Sequence, residues 1–398
     1  MVAKRREVCE GVVEKKMRFW RLLSILGGLL LLTVLLIRPL LSALFLNIGV
    51  ASVHRVVLGG APPEESVRAR RYLGLSRDLG ETTAALCNEG VLALAQADYT
   101  AAEQALAEAV ARSPEDPLVR WYQGQLYLAT DRRVLAIQVL RAARAQGYFL
   151  QAGEADYRAG RMAEAREHYD LYLEMIPGDA YVLRRIGETY QVDGKLDLAS
   201  QYYGASLAAD PSQHRAYYLM GSVYRAQGKW EQAIEAYEQA IEYAPTELMY
   251  YIVIGQTYDE VGQTDNSAYW YALAHQVAPD SGLPYLYYGV SLLNQRRVEE
   301  ALAQLELAIA HDKHNCLAYL YYGYALRSAG QLEEALVALS SAAPYEGCSR
   351  SAHMGLGAIY QETGRLDRAE VEYRQVLELF PGFAPAQEAL DRLMQEHP

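Results

Sequence analysis

Between His214 and Glu247 the apolar residues fall into two helical stripes separated by a break. Tyr217, Met220, Val223 and Tyr224 form the first stripe, and Ala233, Ile234, Tyr237, Ala240 and Ile241 form the second. Both follow the i, i+3, i+4, i+7 spacing of an amphipathic helix. Gly228 lies between them, where a helix end calls for positive φ, and Pro245 stops the second stripe. The segment therefore predicts helix–turn–helix–turn.

Nine glycines carry this unit along the chain: Gly90, Gly124, Gly153, Gly187, Gly221, Gly255, Gly289, Gly323 and Gly357. Every gap is 34 residues except the 29 between Gly124 and Gly153. Such a period predicts stacked helical hairpins, an all-α solenoid whose core grows with each unit. Small residues recur twelve positions later, as in Gly221/Ala233, Gly90/Ala102 and Gly357/Ala369, with Ser267 opposite Gly255. Side chains this small predict close approach of the two backbones in each hairpin, with large neighbours filling the rest.

The pattern changes at the N-terminus. Residues 19–37 read FWRLLSILGGLLLLTVLLI, nineteen residues covering roughly 28 Å as a helix, close to a hydrocarbon core. Residues 19–38 are expected to form one transmembrane helix, and 1–18 a basic cytoplasmic tail. Lys4, Arg5, Arg6, Lys15, Lys16, Arg18 and Arg21 lie at or before its start, and only Arg38 and Arg55 follow soon after. That asymmetry predicts a cytoplasmic N-terminus and repeats across the cell (inner) membrane. A cleaved signal peptide is the competing reading, though the apolar run is long for one. Ser24 and Gly28 offer a small face for a transmembrane-helix partner.

Charge follows the same division. The net charge is −12, but residues 1–60 hold nine Lys/Arg against three Glu, and residues 61–398 hold 28 basic against 46 acidic groups. An acidic repeat region repels phosphate backbones, so no nucleic-acid partner is expected. Arginine far outnumbers lysine, and Ala, Leu and Gly are frequent, which points to a GC-rich bacterial genome. The cysteines at 9, 87, 316 and 348 include no C-x-x-C pair, so no disulfide framework or zinc knuckle is expected. Cys316 and Cys348 fall near equivalent edges of neighbouring units, where a bridge is conceivable; the demanding geometry of a disulfide weighs against it.

Tyr217, the Gly221–Tyr224 pair, Ala233, Tyr237, Ala240 and Pro245 together resemble the marks of the tetratricopeptide repeat (TPR) family, in a membrane-anchored bacterial form. The resemblance covers 83–383 as nine units: 83–116, 117–145, 146–179, 180–213, 214–247, 248–281, 282–315, 316–349 and 350–383. It implies a right-handed superhelix. Residues 40–82 read as a degenerate opening hairpin built around Gly49, with a second helix Glu64 to Leu75 bearing Arg68, Arg70 and Arg71, a cluster close to the membrane. Residues 384–398 read as a capping helix. The unit at 117–145 is five residues short, and Asp156 stands where an aromatic is usual.

In the resembled family the first helix of each unit lines a concave groove, through its fifth, ninth and twelfth residues. By that resemblance the early units contribute Trp121, Gln125, Leu128, Leu150, Glu154 and Tyr157. The middle units contribute Arg184, Glu188, Tyr218, Ser222, Arg225, Ile252, Gln256 and Asp259. The late units contribute Leu286, Val290, Leu320, Tyr324 and Arg327. Arg184, Glu188, Arg225 and Asp259 would form a mixed-charge centre suited to an extended peptide or a partner's helix, unless these charges pair with one another. The chaperone-binding members' Lys–Asn carboxylate clamp has no counterpart in any unit.

Signs of chemistry are missing. No HExxH, Walker loop, GxSxG or strand-linked GxGxxG occurs. His311 and His314 offer two ligands without a third, so no metal and no cofactor is expected. The tyrosine doublets read mainly as packing, with Tyr203, Tyr217, Tyr251, Tyr288 and Tyr322 in inter-helix slots. The chain is expected to be a non-enzymatic scaffold that binds protein partners in envelope assembly, secretion or membrane-complex assembly. The alternatives are a structural subunit of a membrane enzyme complex, or an organelle-type receptor with cytoplasmic repeats.

Overall fold

The structure, a computed structural model, describes residues 37–58, 62–80 and 82–396, all of whose regular elements are helices. The expected membrane span lies outside the described residues except for Ile37 and Arg38. The chain divides into two compact units, one ending at Pro177 and one starting at Gly178.

The first unit begins with α1 (Ile37–Val57) and α2 (Pro63–Leu79). Three hairpins follow: α3 (Thr82–Ala95) with α4 (Tyr99–Arg112), α5 (Pro117–Ala129) with α6 (Arg133–Ala142), and α7 (Gln146–Arg158) with α8 (Met162–Met175). Helix α2 runs four residues beyond the expected Leu75, ending at Leu79. The five residues missing from the unit at 117–145 shorten its second helix, for α6 has ten residues where α4 and α8 have 14.

The second unit stacks six hairpins and a closing helix. They are α9 (Ala180–Val192) with α10 (Leu196–Ala209), α11 (His214–Ala226) with α12 (Trp230–Tyr243), and α13 (Leu248–Val261) with α14 (Thr264–Val277). Next come α15 (Leu283–Asn294) with α16 (Val298–His311), α17 (Cys316–Ser328) with α18 (Leu332–Ala342), α19 (Glu346–Glu362) with α20 (Leu366–Leu379), and finally α21 (Ala384–Glu396).

Local chemistry sets these boundaries. Side chains of Asp98, Asp116, Asp179 and Asn315 accept from orphan N–H groups in the first turns of α4, α5, α9 and α17. Within a hairpin, a left-handed residue turns the chain. Gly228 does this at φ 72°, and Arg296 takes the same role at φ 61° without glycine's freedom.

The repeated glycines meet both expected neighbours, the backbone of the small residue twelve positions on, 3.2 Å from a Cβ added at Gly187, and a large side chain. The alanines twelve positions on are buried, as expected. The large side chain that fills the space beside each glycine stands sixteen positions on. A Cβ added at Gly221 would lie 2.6 Å from the ring of Tyr237, one at Gly187 2.5 Å from Tyr203, and one at Gly90 2.6 Å from Leu106. The partner is Leu or Tyr in all nine hairpins, and these side chains are fully or almost fully buried. Glycine leaves a hole, and a large side chain from the second helix plugs it at close-packed density. Gly49 shows the same contact, with Leu73 2.8 Å from its added Cβ, so α1 and α2 pack like a repeat hairpin with a longer turn.

The second unit also contains a disulfide. Cys316 at the start of α17 and Cys348 in α19 are bonded, with Cα atoms 6.1 Å apart. The bond forms against expectation from the sequence, because stacking of successive hairpins brings the two helix starts within bonding reach. Cys87 is buried and free, its thiol pushed up to about 12 by burial.

Candidate partner-binding surface

In the first unit the positions expected to face a groove mix apolar with polar side chains. Trp121 lies half-buried, its ring edge-on to Tyr148 at 4.5 Å and 5.7 Å from Phe149. Gln125, Leu128, Leu150, Glu154 and Tyr157 are all half-buried. Glu154 accepts the phenol hydrogen of Tyr169 at 2.9 Å. Asp156, where an aromatic is usual, faces inward. It accepts from Arg161 Nε at 2.9 Å and contacts His168 Nδ1 at 2.8 Å, and the Arg161 hydrogen bond, reinforced by His168, holds its carboxyl below the usual range.

In the second unit the structure separates the expected groove residues into two groups. Arg184, Glu188, Ile252, Leu286 and Leu320 are at most 5% exposed, so they lie within the packing and offer almost no surface. Ile252, Leu286 and Leu320 point between neighbouring hairpins, into apolar clusters shared with the adjoining helices. Arg184 and Arg185 both bond to the Glu188 carboxylate, with Arg215 3.6 Å from it. The expected mixed-charge centre is therefore partly closed by its own ion pairs. Burying the charges is tolerable only because they are paired.

Tyr218, Ser222, Arg225, Gln256, Asp259, Val290, Tyr324 and Arg327 remain half-buried at the surface. Tyr218 stacks on Tyr250 at 5.1 Å, and the Tyr250 hydroxyl lies 2.7 Å from His214 Nδ1. Burial, assisted by Glu247, pushes Tyr250 up to about 12. Further along, Arg327 pairs with Glu362, and Tyr324 donates to the Ser351 carbonyl at 2.9 Å.

Four expected residues converge on one cleft. Arg225 from α11, Gln256 and Asp259 from α13 and Val290 from α15 line a cavity of about 210 Å³, with Glu260, Tyr271, Tyr287, Ser291 and Asn294. Asp259 is fixed in place: it accepts from Tyr271 at 2.8 Å and from Ser291 at 2.7 Å. Burial, together with the Asp259 carboxylate, drives the Tyr271 phenol well above its ordinary range. Arg225 Nε stands 4.0 Å from Glu260. Among the described residues, the side-chain amides of Gln256 and Asn294 make no hydrogen bond, leaving donors and acceptors for an incoming chain.

Position-counting along the first helices missed Tyr271, which comes from the second helix of its hairpin. Its ring is the plug beside Gly255, and its hydroxyl emerges in the cleft at Asp259. The same construction places the Tyr203 hydroxyl on Gln191, the Tyr373 hydroxyl on Gln361 and the Tyr237 hydroxyl on Ser222. The available signal was the choice of Tyr over Leu sixteen positions after the glycine. Among the described residues no cluster of three or more His, Cys, Asp or Glu could hold a metal ion.

Tetratricopeptide repeat models match residues 87–149, 214–247, 289–347 and 351–383. The chain is a tetratricopeptide-repeat protein. The matches fall in both compact units. No curated protein matches the sequence. Among solved structures, it is similar to a tetratricopeptide repeat protein from Parabacteroides merdae, at 14% identity, over 63% of this chain and 99% of that one, with a TM-score of 0.50. It is also similar to MamA, at 21% identity over 42% of this chain and 92% of that one (TM-score 0.38). A third similarity is to yeast Tom70, at 13% identity over 83% and 92% (TM-score 0.46). At such identities the likeness to this TPR chain is one of fold.

Proposed function

We propose that this TPR protein is a non-enzymatic scaffold, anchored in a membrane through residues 19–38, that holds an extended segment of a protein partner along the first-helix face of its second unit. The cleft around Asp259 carries the reading. A fixed carboxylate, a guanidinium and the open amides of Gln256 and Asn294 line one cavity, a mixture that suits main-chain amides and a polar side chain. The stacked Tyr218 and Tyr250 supply a flat apolar platform in the same unit.

The Cys316–Cys348 bond supports repeats on the non-cytoplasmic side, because such bonds persist in oxidising compartments. It agrees with the basic excess before the expected span. Roles in envelope assembly, secretion or assembly of a membrane complex fit that placement.

The test is in-membrane crosslinking and capture, comparing the unaltered protein with Arg225→Glu and with the double variant Gln256→Ala, Asn294→Ala. Loss of the same captured partner from both variants is expected. An unchanged partner set would remove the cleft as the binding surface. A reporter fused at Pro398 is expected to be active only outside the cytoplasm; cytoplasmic activity would overturn the topology.

A further inference from the structure

The hairpin of α1 and α2 carries a surface unlike the rest of the described chain. Nine of the exposed large apolar side chains lie between Ile37 and Leu75, whereas twenty are spread over residues 82–396. One stripe of α1 packs on α2. Ser42 Oγ donates to the Ser76 carbonyl and Ser76 Oγ donates to the Ser42 carbonyl, each at 3.0 Å, while Gly49 meets Leu73 and Val53 is buried beside Ala69 and Leu73. The opposite stripe presents Leu40 at 71% exposure, Leu44 at 51% and Leu58 at 72%, with Ile37, Val50 and Val57 at its edges.

By length and composition α1 suffices to cross a membrane. Its packing argues for another role. The partner helix α2 carries seven charged residues in 17, and hydrocarbon would not accommodate it. Helix α1 is thus a repeat-type helix whose outward face is apolar.

The charge around that face has a sign of its own. Helices α1 and α2 contain Arg38, Arg55, Arg68, Arg70, Arg71 and Arg77 against Glu64, Glu65 and Asp78, while residues 82–398 hold 24 basic and 42 acidic groups. Arg38 donates to the neutral carbonyls of Leu79 and Asp78, and Arg71 is exposed with no partner among the described residues, so neither charge is cancelled by an ion pair.

We propose that the outward stripe of α1 lies on the surface of an anionic bilayer, its leucines at the headgroup–acyl boundary and the hairpin's arginines among the headgroups. A basic, amphipathic surface of this kind binds weakly alone and firmly when a second membrane contact holds it close. That second contact is the anchor at 19–38, on whose reading the inference rests. In sequence the stripe directly follows that apolar run.

The test uses the full chain with Cys9→Ser, in nanodiscs of phosphatidylcholine and phosphatidylglycerol with brominated acyl chains. A thiol-reactive fluorophore is placed singly at Leu44→Cys, Val50→Cys, Val371→Cys and Leu31→Cys. Severalfold stronger lipid quenching at 44 and 50 than at 371 is expected, falling when phosphatidylglycerol is replaced by phosphatidylcholine. If 31 is quenched but 44 and 50 behave like 371, the inference fails and the anchor stands. If 31 is not quenched, the anchor reading fails instead. Energy transfer between copies labelled at 44, without lipid quenching, would assign the stripe to a second copy and overturn the proposal.

Discussion

Tyr271 donates its phenol hydrogen to the Asp259 carboxylate across 2.8 Å, and the same ring fills the space that a side chain at Gly255 would occupy. One residue therefore joins the packing of a hairpin to the chemistry of its surface. Tyr271→Phe keeps the ring and removes the donor. It should cost about 1.5–3 kcal/mol, the usual range for a hydrogen bond to a charged group. Denaturant unfolding measures the loss. Partner capture should weaken as well, because Asp259 then retains Ser291 as its main donor; full stability with unchanged capture would contradict the link.

Glycines in this chain have opposite roles according to what lies beside them. Gly221→Ala drives a Cβ to within 2.6 Å of Tyr237 and should destabilise by about 1–3 kcal/mol through overpacking. Gly204, inside α10, has nothing within 4 Å of an added Cβ. Gly204→Ala should stabilise by about 0.5–1 kcal/mol through helix propensity. Thermal unfolding of the two variants side by side should move the midpoint in opposite directions.

The Cys316–Cys348 bond spans 32 residues, and closing a loop of that size restricts the unfolded chain by about 3–4 kcal/mol in the entropic account. Reduction, or Cys316→Ala, should lower stability by up to about that amount. The effect should be confined to the second unit, which hydrogen exchange resolves along the chain. Equal loss of protection in α3 to α8 would show that the bond acts otherwise.

Asp156 links acidity to stability in the first unit. Its carboxyl is held below the ordinary range by Arg161 and His168, so its folded value lies below its unfolded one. The resulting stability is present above the unfolded value, about 4, and is lost as pH falls through the folded value. Asp156→Asn should flatten the acid limb of the unfolding curve below about pH 4. An unchanged limb would remove Asp156 from the acid response.

The hairpins were legible because their signals are local and periodic. The 34-residue glycine spacing, the two apolar stripes and the turn at Gly228 depend only on neighbouring residues. Exposure along the first helices was legible in outline. Tyr218, Arg225, Gln256, Asp259 and Val290 lie at the surface as position-counting predicts, whereas Ile252, Leu286 and Leu320 turn inward. Counting places a residue on a helix face, but burial depends on the angle at which the next hairpin packs, which no single repeat encodes.

The sequence alone determined that this protein is a stack of helical hairpins with a basic, apolar N-terminal end, since periodicity and composition are properties of the chain. Tertiary structure decided which charges closed on each other, that Cys316 meets Cys348, and that Tyr271 reaches through its hairpin to Asp259. Arg184 and Glu188 pair within α9, whereas the disulfide joins α17 to α19 and the tyrosine contact joins α14 to α13. In the latter two, distance in space, set by packing between helices, selects the partner, and separation along the chain does not.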